Sequence, residues 1–145
     1  MNYWLSVFNE MTWRQFRDMT SKVCGFPEPR SGRFANITKY DTFICYISKR
    51  MVWAGVLHVS GKPFRDRSQI YEGGIFPRRV PVEPLIVCDV ERAVPMSQLE
   101  GRLSFFPTGS TAKRWAPIVR NSPRKLHPPD AQAIINLLES KTSNT

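Results

Sequence analysis

Histidine is scarce in this 145-residue chain, and only His58 and His127 are present. A nucleophilic enzyme needs a base beside its nucleophile, and histidine is the most accessible one near neutral pH. The single pairing to weigh is Cys24 with His58, which leaves a small Cys-His enzyme as a minor alternative. No nucleophile elbow, phosphate-binding P-loop or dinucleotide fingerprint is present. Cysteine is also sparse. Cys24, Cys45 and Cys88 are odd in number and widely spaced, which argues against a disulfide framework. Cys45, inside an apolar run, reads as a small buried hydrophobe. Without CxxC, HxH or HExxH spacing, and with carboxylates scattered singly, no metal or other cofactor is expected. No apolar run approaches the roughly 18 residues of a membrane span. The opening Met1-Asn2-Tyr3-Trp4-Leu5 lacks the features of a signal peptide, so a cytoplasmic protein without a membrane partner is expected.

Acidic residues are the remaining shortage. Twelve face 21 lysines and arginines, a formal charge of +9 that favours polyanionic partners. Hydrophobic residues at 41%, with aromatics at 12%, are enough for one folded core and too many for disorder. The basic charge is also concentrated. No acid occurs between Glu100 and Asp130, where Arg102, Lys113, Arg114, Arg120, Arg124 and Lys125 all lie. Lys62, Arg65, Arg67, Arg78 and Arg79 form a second group against Asp66 and Glu72. Such clusters neutralise phosphates and release counterions, giving affinity that falls with salt. Trp115, beside Arg114, suits either core packing or stacking on an unpaired nucleotide.

Pattern along the chain predicts one α+β domain over residues 1–140 with a flexible tail at 141–145. Tyr3–Phe8 reads as a strand, followed by a helix whose capping-box spacing is Thr12 and Gln15. Residues 23–32, rich in Gly and Pro, read as a loop. Thr42–Ser48 and Met51–Val59 read as a hairpin turning at Lys49-Arg50. Gly55 marks a bulge or a close backbone approach. Residues 60–77 form a long connection, a length more often functional than idle. Arg79–Asp89 reads as a strand confined to an edge or bulge by Pro81 and Pro84. Ser97 and Glu100 repeat the capping spacing before Leu103. A last helix enters at Pro128-Pro129-Asp130 and buries Ala131, Ile134, Ile135 and Leu138. Trp4, Trp13 and Trp53, all on regular elements, are expected in the core.

The order of several segments resembles the EVE domain of the PUA-like fold group, which also contains the YTH readers. The segments are Tyr3-Trp4-Leu5; Val23-Cys24-Gly25; Tyr40-Asp41 before Tyr46-Ile47-Ser48; and Gly55 to Val59. Pro63 to Asp66, Ile70-Tyr71 and Phe76 to Val80 follow, with Leu103-Ser104-Phe105, Lys113-Arg114-Trp115 and Arg124-Lys125-Leu126 in the C-terminal third. The resemblance implies a PUA-like curled mixed sheet, or pseudo-barrel, flanked by helices. It also implies a non-catalytic pocket for a flipped modified base: methylated or hydroxymethylated cytosine in DNA, or methylated adenine. Carried over by position, the pocket comprises Ser6, Phe8, Asn9, Cys24, Gly25, Phe26, Tyr46, Ser48 and Tyr71, with Phe76 and Arg79 nearby. Arg65, Arg67, Arg78, Lys113, Arg114, Trp115, Arg120, Arg124 and Lys125 would grip the backbone. Cys24 and Tyr71 stand where relatives carry tryptophan, Arg78 where an aromatic is common, and Tyr40 where glycine is usual. The expected partner is DNA or RNA, with a separately encoded nuclease or other effector acting downstream. A general RNA-binding module without base selectivity is the alternative.

Overall fold

The computed structural model describes residues 1–27, 32–71 and 74–143. The chain begins with β1 (Tyr3–Phe8) and α1 (Glu10–Asp18), followed by β2 (Val23–Phe26) and a 3₁₀ turn at Gly32–Asn36. The hairpin of β3 (Thr42–Ile47) and β4 (Val52–Val59) comes next, then β5 (Phe64–Arg65), β6 (Arg78–Val87) and β7 (Val94–Pro95). A 3₁₀ turn at Met96–Leu99 leads to α2 (Ala112–Trp115), another such turn at Ala116–Val119, β8 (Arg124–Leu126) and α3 (Pro128–Ser143). The strands form one curled, mixed sheet in the order β2-β6-β4-β3-β1-β8, with β5 added to β6 and β7 to β4. This α+β half-barrel is the expected class. No helix among the described residues is long and apolar enough to cross a membrane.

β1 runs parallel to β3, a pairing that needs a crossover, and α1 lies within it. The start of α1 is specified one turn earlier than Thr12 and Gln15 suggest. Asn9 is the N-cap: its carboxamide oxygen accepts the Thr12 N–H at 2.8 Å, and the Thr12 hydroxyl accepts the Asn9 N–H at 3.0 Å. β3 is buried at every position because the sheet carries apolar cores on both sides. Phe43, Cys45 and Ile47 join Trp4, Phe8, Trp13 and Phe16 on one side. Ile44 and Tyr46 join Leu5, Trp53, Trp115, Ile134 and Leu138 on the other. Each large side chain so buried contributes about 1.5–3 kcal/mol. Trp4, Trp13 and Trp53 all belong to this interior.

Gly55 serves both expected purposes. The β3–β4 register shifts beside it, and an added Cβ would stand 2.6 Å from Trp13 Cη2 and 3.1 Å from the Ile86 carbonyl oxygen. β6 is no simple edge strand. Its first residues pair with β2 and β5, and its later ones pair with β4. Pro81 lies where the ladders change hands, and Pro84 sits at a register shift opposite Leu57, so neither missing N–H breaks a continuous ladder.

Three local expectations are corrected. Residues 23–26 form a strand rather than a loop, because β6 supplies hydrogen-bond partners that lie far off in the chain. Ser97 and Glu100 cap no α-helix; that segment is a 3₁₀ turn without a side-chain cap, and Glu100 instead accepts the Gly109 N–H at 3.0 Å. The helix α3 continues through Lys141 to Ser143, and Lys141 Nζ donates to the Ala93 carbonyl at 3.1 Å, while the last two residues of the expected tail, 144–145, lie outside the described residues.

Candidate nucleic-acid interface

β2 places Cys24 and Phe26 inward, while Gly25 lies under the connection that follows β5. An added Cβ at Gly25 would lie 2.7 Å from Ile70 Cδ1, 3.0 Å from Phe76 Cβ and 3.4 Å from Tyr71 Cε2. Only glycine lets this connection settle so closely on the strand. Tyr71 packs edge-on against Phe8 at 6.3 Å and against Phe76 at 5.5 Å. Its hydroxyl points to the Val23 carbonyl at 3.4 Å. Burial, reinforced by Cys24 and Cys45, pushes the phenol far above its ordinary range. Ser6, Phe8, Cys24, Gly25, Tyr71 and Phe76 therefore converge. Burial pushes the Cys24 thiol up to about 12, outweighing the downward pull of Ser6.

Tyr71 is only 3% exposed, so the convergent side chains make a filled interior rather than an open hollow. Phe26 lies in the same core as Tyr71, but its ring neighbours are Phe34 at 5.9 Å and Phe43 at 5.5 Å. Tyr46 does not belong with this group. It faces the opposite core, 5.0 Å from the Trp53 ring, because alternation along β3 sends Cys45 and Tyr46 to different sides. Asn9 is occupied as the α1 cap, and half-buried Ser48 closes β3 by donating its N–H to the Phe8 carbonyl at 2.8 Å.

Arg79 is a clamp on the connection. It is buried, and its Nη1 donates to Ser68 Oγ at 2.9 Å, with Nη2 donating to the carbonyls of Ser68 and Ile75 and Nε to that of Phe76. Asp66 lies 3.7 Å from its guanidinium. These bonds commit Arg79 to shaping the loop. Arg65 and Arg78 face one another across β5 and β6, and the Arg78 guanidinium sits 5.5 Å from the Phe34 ring centroid. Arg67 is exposed on the same connection.

The second basic group divides. Trp115 is buried against Phe106, with centroids 6.0 Å apart, so it is core and no stacking platform. Lys113, Arg114 and Arg120 are exposed around it. β8 pairs with β1, setting Lys125 opposite Trp4 and Arg124 opposite Leu5. Arg124, Lys125, Trp4 and Asn36 line a cleft of about 420 Å³. Asn36 and Trp4 were not anticipated there; the cleft depends on β1–β8 pairing across most of the chain.

His58 and Cys24 do not form a dyad. Cys24 is fully buried in the α1-side core, whereas His58 Nδ1 lies 3.4 Å from Thr42 Oγ1 beside a cleft lined by Tyr3 and Ile135. Among the described residues no group of three or more histidines, cysteines or carboxylates is placed to hold a metal.

No known family profile matches the chain, and no curated protein does. Solved structures do share the fold. The Mmi1 YTH domain superposes with a TM-score of 0.68 at 8% identity, covering 99% of this chain and 78% of that one. The YTH domain of Zygosaccharomyces rouxii MRB1, solved in complex with N6-methyladenosine RNA, gives 0.64 at 12% identity over 95% and 86%. A hypothetical protein from Leishmania major gives 0.67 at 12% identity over 98% and 97%. The architecture is thus YTH-like.

Proposed function

We propose that this chain is a non-catalytic reader of RNA, holding a flipped methylated base between Tyr71 and the Cys24-Gly25 edge of β2. The observation that carries this reading is the seating of Tyr71 on Gly25 inside a YTH-like fold, with Arg78 paired to Phe26 on β2, Arg65 paired to Arg78, and Arg67 exposed on the connection leading to Tyr71. The likeness to a domain solved with N6-methyladenosine RNA supports methylated adenine as the first base to test. Because Tyr71 is packed, a base reaches it only when the ring turns out of its contacts with Phe8 and Phe76. Base extrusion costs a few kcal/mol. Stacking on the freed ring returns about 1–3 kcal/mol, and phosphate contacts supply the rest. Nothing in this cycle requires bond chemistry, which fits a Cys24 thiol held in its protonated form.

The test is binding to short RNAs that carry N6-methyladenosine or plain adenosine, with matched methylcytosine DNA for comparison. A preference for methylated RNA is expected, and Tyr71→Ala should abolish that preference, about tenfold at most, while general affinity persists. Tyr71→Phe should keep it. Equal binding of both RNAs by the wild type would instead mark a general RNA-binding module. The preference is a ratio measured on one preparation, so partial unfolding of a variant does not distort it.

A further inference from the structure

Away from Tyr71, three cations from separate elements meet around a cleft of about 240 Å³: Arg17 from the last turn of α1, Arg92 from the turn before β7, and Lys141 from α3. We propose that this cleft, lined in part by Cys88, binds a phosphate-class anion. Asp89 is the one carboxylate at its wall, and its Oδ1 already accepts the Arg92 backbone N–H at 2.9 Å. Asp18, next to Arg17 in the chain, does not line the cleft, and two further acids nearby are engaged elsewhere. Glu10 and Glu91 both bind Arg50, at 2.8 and 3.1 Å. Arg17 and Arg92 make no side-chain ion pair among the described residues, and Lys141 spends one donor on Ala93.

Three like charges held around one cleft repel each other, and a multivalent anion with several acceptor oxygens relieves that repulsion. The cations act on a common point. Arg17, Lys141 and Arg92 each pull the Cys88 thiol down, though burial first and Asp89 second keep it above its ordinary value. A phosphate ester of a nucleic acid and a free phosphate present the same oxygens, so the cleft suits either.

Cys88 supplies the assay. It lines the cleft and keeps 7% of its surface exposed, whereas Cys24 and Cys45 have none. Alkylation by neutral N-ethylmaleimide, mapped by mass spectrometry, should therefore report on Cys88. Inorganic phosphate should slow that alkylation saturably at constant pH and at ionic strength balanced with chloride. Arg17→Ala or Arg92→Ala should weaken the protection about tenfold, the expected loss of one charge-assisted contact, while Arg92→Lys retains part of it. A short unmodified RNA that also protects Cys88 would identify backbone phosphate as the source; protection by inorganic phosphate alone would identify a free anion. No slowing beyond chloride, or equal protection in the alanine variants, overturns the proposal. Neither result bears on base reading at Tyr71.

Discussion

Arg79 holds Ser68, eleven residues earlier in the chain, through both its hydroxyl and its carbonyl. The same guanidinium binds the Ile75 and Phe76 carbonyls, so one side chain on β6 ties both ends of the segment that carries Tyr71.

Arg79→Ala leaves those acceptors without their buried donor. A loss of about 3 kcal/mol in urea unfolding is expected. Hydrogen exchange at residues 66–71 should rise even where the domain stays folded. Arg79→Lys should restore little, because an ammonium lacks the planar fork that reaches several carbonyls at once.

Asp41 is buried and accepts from the Asn2 N–H, the Trp4 indole and the Thr38 N–H, at 2.9, 2.9 and 3.0 Å. Burial pushes its carboxyl up, but these bonds outweigh it and the net shift is downward. A lowered folded-state value means the contribution is present above the unfolded carboxyl range and is lost as pH falls through the folded value. Asp41→Asn should cost about 2 kcal/mol at neutral pH. The gap between wild type and variant should close in melts run below about pH 4.

Gly55→Ala forces a methyl against the rigid Trp13 ring and the Ile86 carbonyl. Thermal melts should show a loss of about 2 kcal/mol, the usual scale for overpacking. Unchanged stability would mean that α1 can move away from β4.

Lys113→Ala with Arg114→Ala should weaken all RNA binding alike, leaving base preference intact. The slope of log affinity against log salt should fall by about 1.4 for two lost contacts on single strands. Trp115→Ala, by contrast, should cost about 3–5 kcal/mol of stability because its ring belongs to the core.

Local pattern announces β1, β3, β4 and α3 in the sequence, since alternation and helical spacing act within a few residues. It hides β2, whose Val23–Phe26 segment becomes a strand only when Arg78–Pro81 lies beside it. The same limit governs the candidate site. The meeting of Tyr71 with Cys24 and Gly25 follows from an ordered resemblance of segments, whereas the commitment of Arg79 to Ser68 needs the path of the loop. Tyr46 could have been set aside from alternation alone, because Cys45 points the other way. Trp115 could not, since its neighbour Phe106 comes from a separate turn.

A strand with interior on both its sides has one further effect. Phe43 and Ile44 are adjacent in β3 yet rest in different cores, so neither half of the molecule can come apart while the other keeps its shape. Truncating the chain to separate Tyr71 from the Lys113–Arg114 surface would dismantle both, and dissecting their contributions requires single-residue changes in the intact domain.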